Sequence, residues 1–201
     1  LLDFAPDFQP PQAGMGGKTG LYCGEQDMFC FLIDPLGWTE IDGEAFAPGM
    51  FVWNSEVGRR SLGIQTFWFQ AVCQNHLVWD AVEVVDFSRK HTTNVKDGLD
   101  DIRFLVADLV KKRDQRRDGF VKVVRKAMQE KLGDGAEEAM KQVIAAGIPS
   151  RLAQEAVESA QRTGRLTIFA VVDALTRISQ RVAYAGDRTE LDVKAAALLA
   201  L

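Results

Sequence analysis

Asp97-Gly-Leu-Asp-Asp-Ile-Arg-Phe-Leu-Val-Ala-Asp-Leu-Val110 is where the apolar period of the chain changes. Leu99, Ile102, Val106, Leu109 and Val110 fall on one face of a helix, and Phe120, Val124 and Ala127 continue near it. Asp97, Asp100 and Asp101 stand in the first turn, where carboxylates complement the positive end of the helix dipole. Upstream the apolar residues come in short runs punctuated by turn residues, the pattern of strands.

Working back from residue 97, Val82-Glu-Val-Val-Asp-Phe87 is the last strand-like run. Leu21-Tyr-Cys23 and Met28-Phe-Cys-Phe-Leu-Ile33 flank Gly24–Asp27, a plausible hairpin turn. Trp38–Ile41 and Glu44–Phe46 flank Asp42-Gly43, the strongest short hairpin signal in the chain. Pro48-Gly49 punctuates before the strand Met50-Phe-Val-Trp53, and Gly58–Arg60 turns that strand into Ser61–Thr66. Phe67 to Gln74 reads as a short helix ended by Asn75, which tolerates a left-handed C-terminal position.

Forward of the boundary, Gly133-Asp-Gly135 interrupts the helical period. Helices are expected over Ala136–Ala146, Ser150–Arg162 and Leu166–Tyr184, with a short one from Leu191. Strands first and helices afterwards mean α+β and not βαβ. The expected architecture is an N-terminal antiparallel sheet built from hairpins over 20–96, followed by helices from 97–201 packed on one face within the same domain. Residues 1–19, with Pro6, Pro10 and Pro11, form an irregular lead-in or linker. The chain opens Leu1-Leu-Asp-Phe-Ala-Pro6, which reads as the interior of something longer.

Charge is distributed unevenly along the 201 residues, although the net value is only −4. Residues 1–50 hold eight acids and one base, whereas 89–131 hold thirteen bases and seven acids. Lys111, Lys112, Arg113, Arg116, Arg117, Lys122, Arg125 and Lys126 place eight cations in sixteen residues, offset by Asp114 and Asp118. At about 100° per residue, Arg113 and Arg117 point the same way as Val106 and Val110. Either the helix kinks or ends near Gly119, or the apolar stripe leaves the core there and meets a partner. A solvated face is the bland reading; a polyanion is the functional one, because neutralising phosphates releases counterions.

No uncharged apolar stretch is long enough to span a membrane. Cys23, Cys30 and Cys73 lack paired metal-ligand spacing and fit reduced, buried thiols of a cytoplasmic protein. Gly14-Met-Gly-Gly-Lys18-Thr19 lacks the spacing of a phosphate loop. No cofactor motif and no set of catalytic residues is legible.

Polar residues break an apolar run at Phe51-Val-Trp-Asn-Ser-Glu-Val-Gly58, so Asn54, Ser55, Glu56 and Gly58 mark the rim of a sheet or a side-chain-bonded turn. Cys73 and Asn75 form a second short motif. Arg59 and Arg60 in the hairpin tip could grip phosphate bidentately. Arg89, Lys90 and His91, followed by two threonines, supply the donors that phosphate oxygens accept. These join Lys111, Lys112, Arg113, Arg116 and Arg117 as candidate nucleic-acid contacts.

Asn54-Ser-Glu-Val-Gly58 with Ser61-Leu62, Val72-Cys73-x-Asn75, Arg89-x-His91-Thr92 and Asp173-Ala-Leu-Thr176 together resemble the phage- and plasmid-associated family of unknown function numbered nine hundred and thirty-two. His76 stands where that family usually has Gly, and Asp173 where it has Asn. The resemblance implies a mobile-element setting and, by analogy of pattern, a likeness to phage single-strand annealing recombinases, which need no ATP and form oligomers.

The leading expectation is therefore a sequence-nonspecific DNA-binding protein of a phage or plasmid-like element, favouring single strands, working without a cofactor as a homo-oligomer in annealing or recombination. A hydrolase or nuclease using Glu56, Asp80 and His91, with or without metal, is the first alternative. A protein-interaction module acting against host defence is the second.

Overall fold

The computed structural model describes residues 3–4, 21–23, 27–55, 57, 61–70, 75–79, 86–89, 95–183 and 185–201. The strands are β1 (Asp3–Phe4), β2 (Leu21–Cys23), β3 (Asp27–Ile33), β4 (Thr39–Ile41), β5 (Glu44–Ser55), β6 (Leu62–Gln70), β7 (Asn75–Trp79) and β8 (Asp86–Arg89). The helices are α1 (Val95–Lys111), α2 (Arg113–Gln129), α3 (Ala136–Ala145), α4 (Ser150–Arg162), α5 (Ile168–Ser179) and α6 (Ala185–Ala197), with a 3₁₀ turn at Leu198–Ala200. The fold is α+β, sheet first and helices second.

All strand pairs are antiparallel. β5 is the central strand: β3 and β4 lie along one edge of it and β6 along the other. β1 and β2 extend the sheet beyond β3, and β7 and β8 beyond β6. β1 comes from the stretch read as an irregular lead-in.

The β4–β5 hairpin turns at Asp42 and Gly43, both with positive φ (50° and 87°), between the paired residues Ile41 and Glu44. Its left-handed backbone matches the right-handed twist of the strands it joins. Pro48-Gly49, expected as a break, instead lies inside β5. The Pro48 carbonyl accepts from the Asp34 amide at 2.8 Å just where β3 leaves the sheet, so the proline's missing N–H faces the gap before β4. Gly49 is required by close approach: a Cβ there would stand 2.4 Å from the Phe67 ring and 2.7 Å from the Leu32 carbonyl oxygen.

The helix expected over Phe67–Gln74 is corrected to strand over Phe67–Gln70, which belongs to β6; residues 71–74 lie outside the described residues, and Asn75 opens β7. The reason is alternation. Phe67 and Phe69 face an aromatic layer with Phe29, Phe31 and Phe51, whereas Trp68 faces the helices. A run buried on both faces carries no period-two polarity to announce itself.

On the helix-bearing face, Met50, Leu62 and Ile64 take Ile102 and Leu109 of α1. Phe46 and Trp68 pack with Phe120 of α2 and with Phe169 of α5 in one core that also gathers α3, α4 and α6. Phe120 stacks on Trp68 with ring centroids 3.9 Å apart and planes 6° from parallel. On the other face, Ala196 of α6 joins the aromatic layer. α4 matches its expected bounds. α5 is shorter than expected, and α6 starts six residues before Leu191.

Replacing Phe120 or Trp68 by Ala removes a fully buried ring from the junction of sheet and helices, and should cost about 3–5 kcal/mol of unfolding free energy. Trp68→Phe should cost less, because it keeps a ring and removes an indole Nε1 that is buried without a hydrogen-bond partner. Urea denaturation of the three variants checks the order.

Candidate nucleic-acid interface

α1 and α2 are separated by one residue, Lys112, whose φ and ψ of −87° and 9° end the first helix. The break expected near Gly119 therefore lies seven residues earlier, and α2 runs through Gly119 to Gln129. The helical bonds continue across Lys112, whose amide donates to the Asp108 carbonyl and whose carbonyl accepts from the Arg116 amide (both 3.0 Å), so α2 keeps the phase of Ile102 and Leu109. The buried stripe of α2 is Arg116, Phe120, Val124 and Ala127.

This phase divides the cations of the basic segment. Arg113 Nε donates to Asp34 Oδ2 at 2.5 Å; Asp34 is buried at the end of β3, and its Oδ1 accepts from the Leu36 amide. Arg116 is 4% exposed and belongs to the interior. Arg117 reaches Asp114 at 3.0 Å and Asp118 at 3.1 Å. Lys112 pairs with Asp108 at 3.1 Å, and Lys126 with the Leu201 carbonyl and Glu130.

The exposed cations that enter no ion pair among the described residues are found further along. They include Lys111 at the end of α1, Lys122 and Arg125 on the solvent face of α2, Lys131 just after it, and Arg165. Lys131 and Arg165 are 34 positions apart in sequence. They are joined by an antiparallel bridge between Lys131 and Thr167, with the Leu132 amide donating to the Leu166 carbonyl (3.1 Å) and the Ile168 amide to the Glu130 carbonyl (3.0 Å). The sequence drew attention to the density of charge at 111–126 and passed over Arg165, whose neighbourhood only the bridge reveals.

The other expected residues fall as follows. β5 ends at Ser55, so Asn54 and Ser55 do close the central strand, with Ser55 buried. Asn75 opens β7 and Arg89 closes β8, which pairs with Leu62 at that position. Glu56, Gly58, Arg59, Arg60, Cys73, Asp80, Lys90 and His91 lie outside the described residues. Cys30 is a half-buried residue of β3. No described helix is long and apolar enough to cross a membrane.

The Asp173–Thr176 signature lies within α5 as a chain of short-range bonds. Asp173 Oδ2 pairs with Arg177 at 2.9 Å, the Thr176 hydroxyl donates to the Asp173 carbonyl at 2.8 Å, and the Ser179 hydroxyl donates to the Thr176 carbonyl at 2.7 Å. Against Ser179 lies Asp192 of α6, buried near Arg188. Burial pushes the Asp192 carboxyl well above the ordinary value of 3.8, opposed by the Arg188 charge and a hydrogen bond with Ser179. An acid inside the apolar stripe of Leu191, Ala195 and Leu198 is the signal that could have flagged it.

The family model described as Domain of unknown function (DUF932) matches residues 36–198. The chain belongs to that family. No curated protein and no solved structure matches it.

A raised pKa in the folded state means that folding holds a proton that the unfolded chain releases. Stability from this source is fully present below 3.8 and declines as pH rises through the raised folded value. Asp192→Asn keeps the shape and removes the titration. Its stability relative to wild type should therefore increase with pH above 3.8, as read from urea midpoints along a pH series. A difference that stays constant with pH contradicts the assignment.

Proposed function

We propose that this DUF932 protein binds DNA without reading its sequence, through the solvent face of the second half of α2 and the loop that follows. The proposal extends to a phage or plasmid-like setting, where such binding serves single-strand annealing or recombination by an oligomer of the chain. The observation that carries the reading is the group Lys122, Arg125, Lys131 and Arg165, all exposed and free of ion pairs among the described residues. A cation already held by a carboxylate must give up that pair to meet a phosphate; these four need not.

Geometry supports the same choice. Lys122 and Arg125 are three residues apart, hence neighbours on one face of the helix. From Lys122 to Gln129 the helix advances about 10 Å, which spans about three nucleotides of one strand at ~3.4 Å each. Phosphate contacts of this kind position a chain on a backbone and carry no base information.

Lys122→Ala with Arg125→Ala should lower the slope of log affinity against log salt by about 1.5, whatever the DNA sequence, because each lost contact removes ~0.7–0.9. Arg113→Ala should instead lower stability by about 2 kcal/mol, by leaving the buried Asp34 carboxylate without its partner, with the slope unchanged. Filter binding over a salt series, beside urea denaturation, separates the two effects. Absence of DNA binding by the wild type overturns the reading.

A further inference from the structure

The Lys131–Thr167 bridge does more than bring two cations together. Between the end of α2 and the turn that enters α5 it leaves an open groove of about 420 Å³, lined by Met128, Lys131, Gly164, Arg165 and Leu166 among others. No acid lines it. The volume lies within the ~300–1,000 Å³ typical of small-molecule sites. Its lining is mixed: two side chains bring positive charge, while Met128 and Leu166, both half-buried, supply apolar surface.

The two cations reach the same groove for a backbone reason. Lys131 and Thr167 face each other as a pair that exchanges no hydrogen bond between its own members, since the flanking amides of Leu132 and Ile168 make the ladder bonds. Side chains of such pairs stand on one side of the ladder and close together. Gly164, at φ +86°, permits the sharp turn that ends α4's extension and delivers Arg165 to the rim. Thr167 is already committed as the N-cap of α5, its hydroxyl accepting from the Ala170 amide at 3.2 Å.

We propose that this groove is a subsite for one nucleotide of single-stranded nucleic acid, with the phosphodiester held between Lys131 and Arg165 and an unstacked base laid on Met128 and Leu166. The inference rests on the DNA-binding reading above and adds a strand preference to it. A duplex offers its phosphates to the two cations but keeps its bases stacked and paired, so it gains nothing from the apolar floor. A simple anion gains only the charges. The occupant that uses both parts of the lining is a nucleotide freed from its stack.

The test uses the whole chain. Affinities for a thymidine oligonucleotide and for a duplex of equal length are measured by fluorescence anisotropy, for wild type and for Lys131→Ala with Arg165→Ala. In parallel, thymidine 5′-monophosphate and inorganic phosphate are titrated into the isotopically labelled wild type and variant, following the amides of Gly164 and Leu166. The expected result is a loss of about tenfold in single-strand affinity, a smaller loss for duplex, and Gly164 and Leu166 shifts with the nucleotide that the variant does not show. Both mutated side chains are exposed, so the variant should fold as wild type does.

Wild type that binds DNA, with a double variant of equal affinity and no nucleotide shifts, overturns the subsite and leaves the DNA-binding reading standing. Shifts as large with inorganic phosphate as with the nucleotide also overturn it, because the apolar floor then contributes nothing. Nucleotide shifts abolished by the double substitution, in a protein that binds no DNA, would support the groove and end the wider reading.

Discussion

The stack of Phe120 on Trp68 is the contact on which the arrangement of the molecule depends. Both rings are fully buried, and they sit in near-parallel planes 3.9 Å apart. Phe46 closes on the same ring edge to face, at 5.3 Å, and on Phe169 of α5 at 6.2 Å. Two central strands and two helices thus meet in one run of ring contacts, Trp68 to Phe120 to Phe46 to Phe169. Such pairs add directional preference to the large apolar area they bury. They therefore constrain how α2 is rolled as well as where it lies.

That roll decides which charges the protein shows. With Phe120 inward, Arg116, Val124 and Ala127 follow it into the core, and Lys122 and Arg125 are turned to water. Asp34 then secures the first turn of α2 through Arg113, and the Leu201 carbonyl meets Lys126 near its end. The basic segment is consequently two things: a first half whose guanidinium groups are taken up by Asp34, by the interior and by the neighbouring carboxylates Asp114 and Asp118, and a second half in which Lys122 and Arg125 remain available. Its high charge density alone conceals that division.

The fold was legible wherever a local rule had one solution. Asp42-Gly43 demanded a left-handed turn, and the structure has it; Ser150–Arg162 follows Pro149, which cannot continue a helix from upstream, and its bounds agree. Rules misled where tertiary context supplied the missing partner. Pro48 fits a central strand because β3 departs opposite it, and Phe67–Gln70 is strand because both faces are covered. The site was legible only as a charge imbalance. Which arginines are internal depends on Asp34, 79 positions from Arg113, and the company of Lys131 and Arg165 depends on a bridge between two loops. Neither relation leaves a trace in spacing.

Lysine footprinting tests most directly the claim that the roll of α2 selects the polyanion face. Acetylation of the folded protein, with and without a thymidine oligonucleotide, reports the accessibility of each amine by mass spectrometry. Lys122 and Lys131 should be protected by the oligonucleotide, while Lys112, held by Asp108, and Lys141, held by Glu137 on α3, should react as before. Protection concentrated at Lys111 and Lys112, with Lys122 and Lys131 still reactive, would contradict the account.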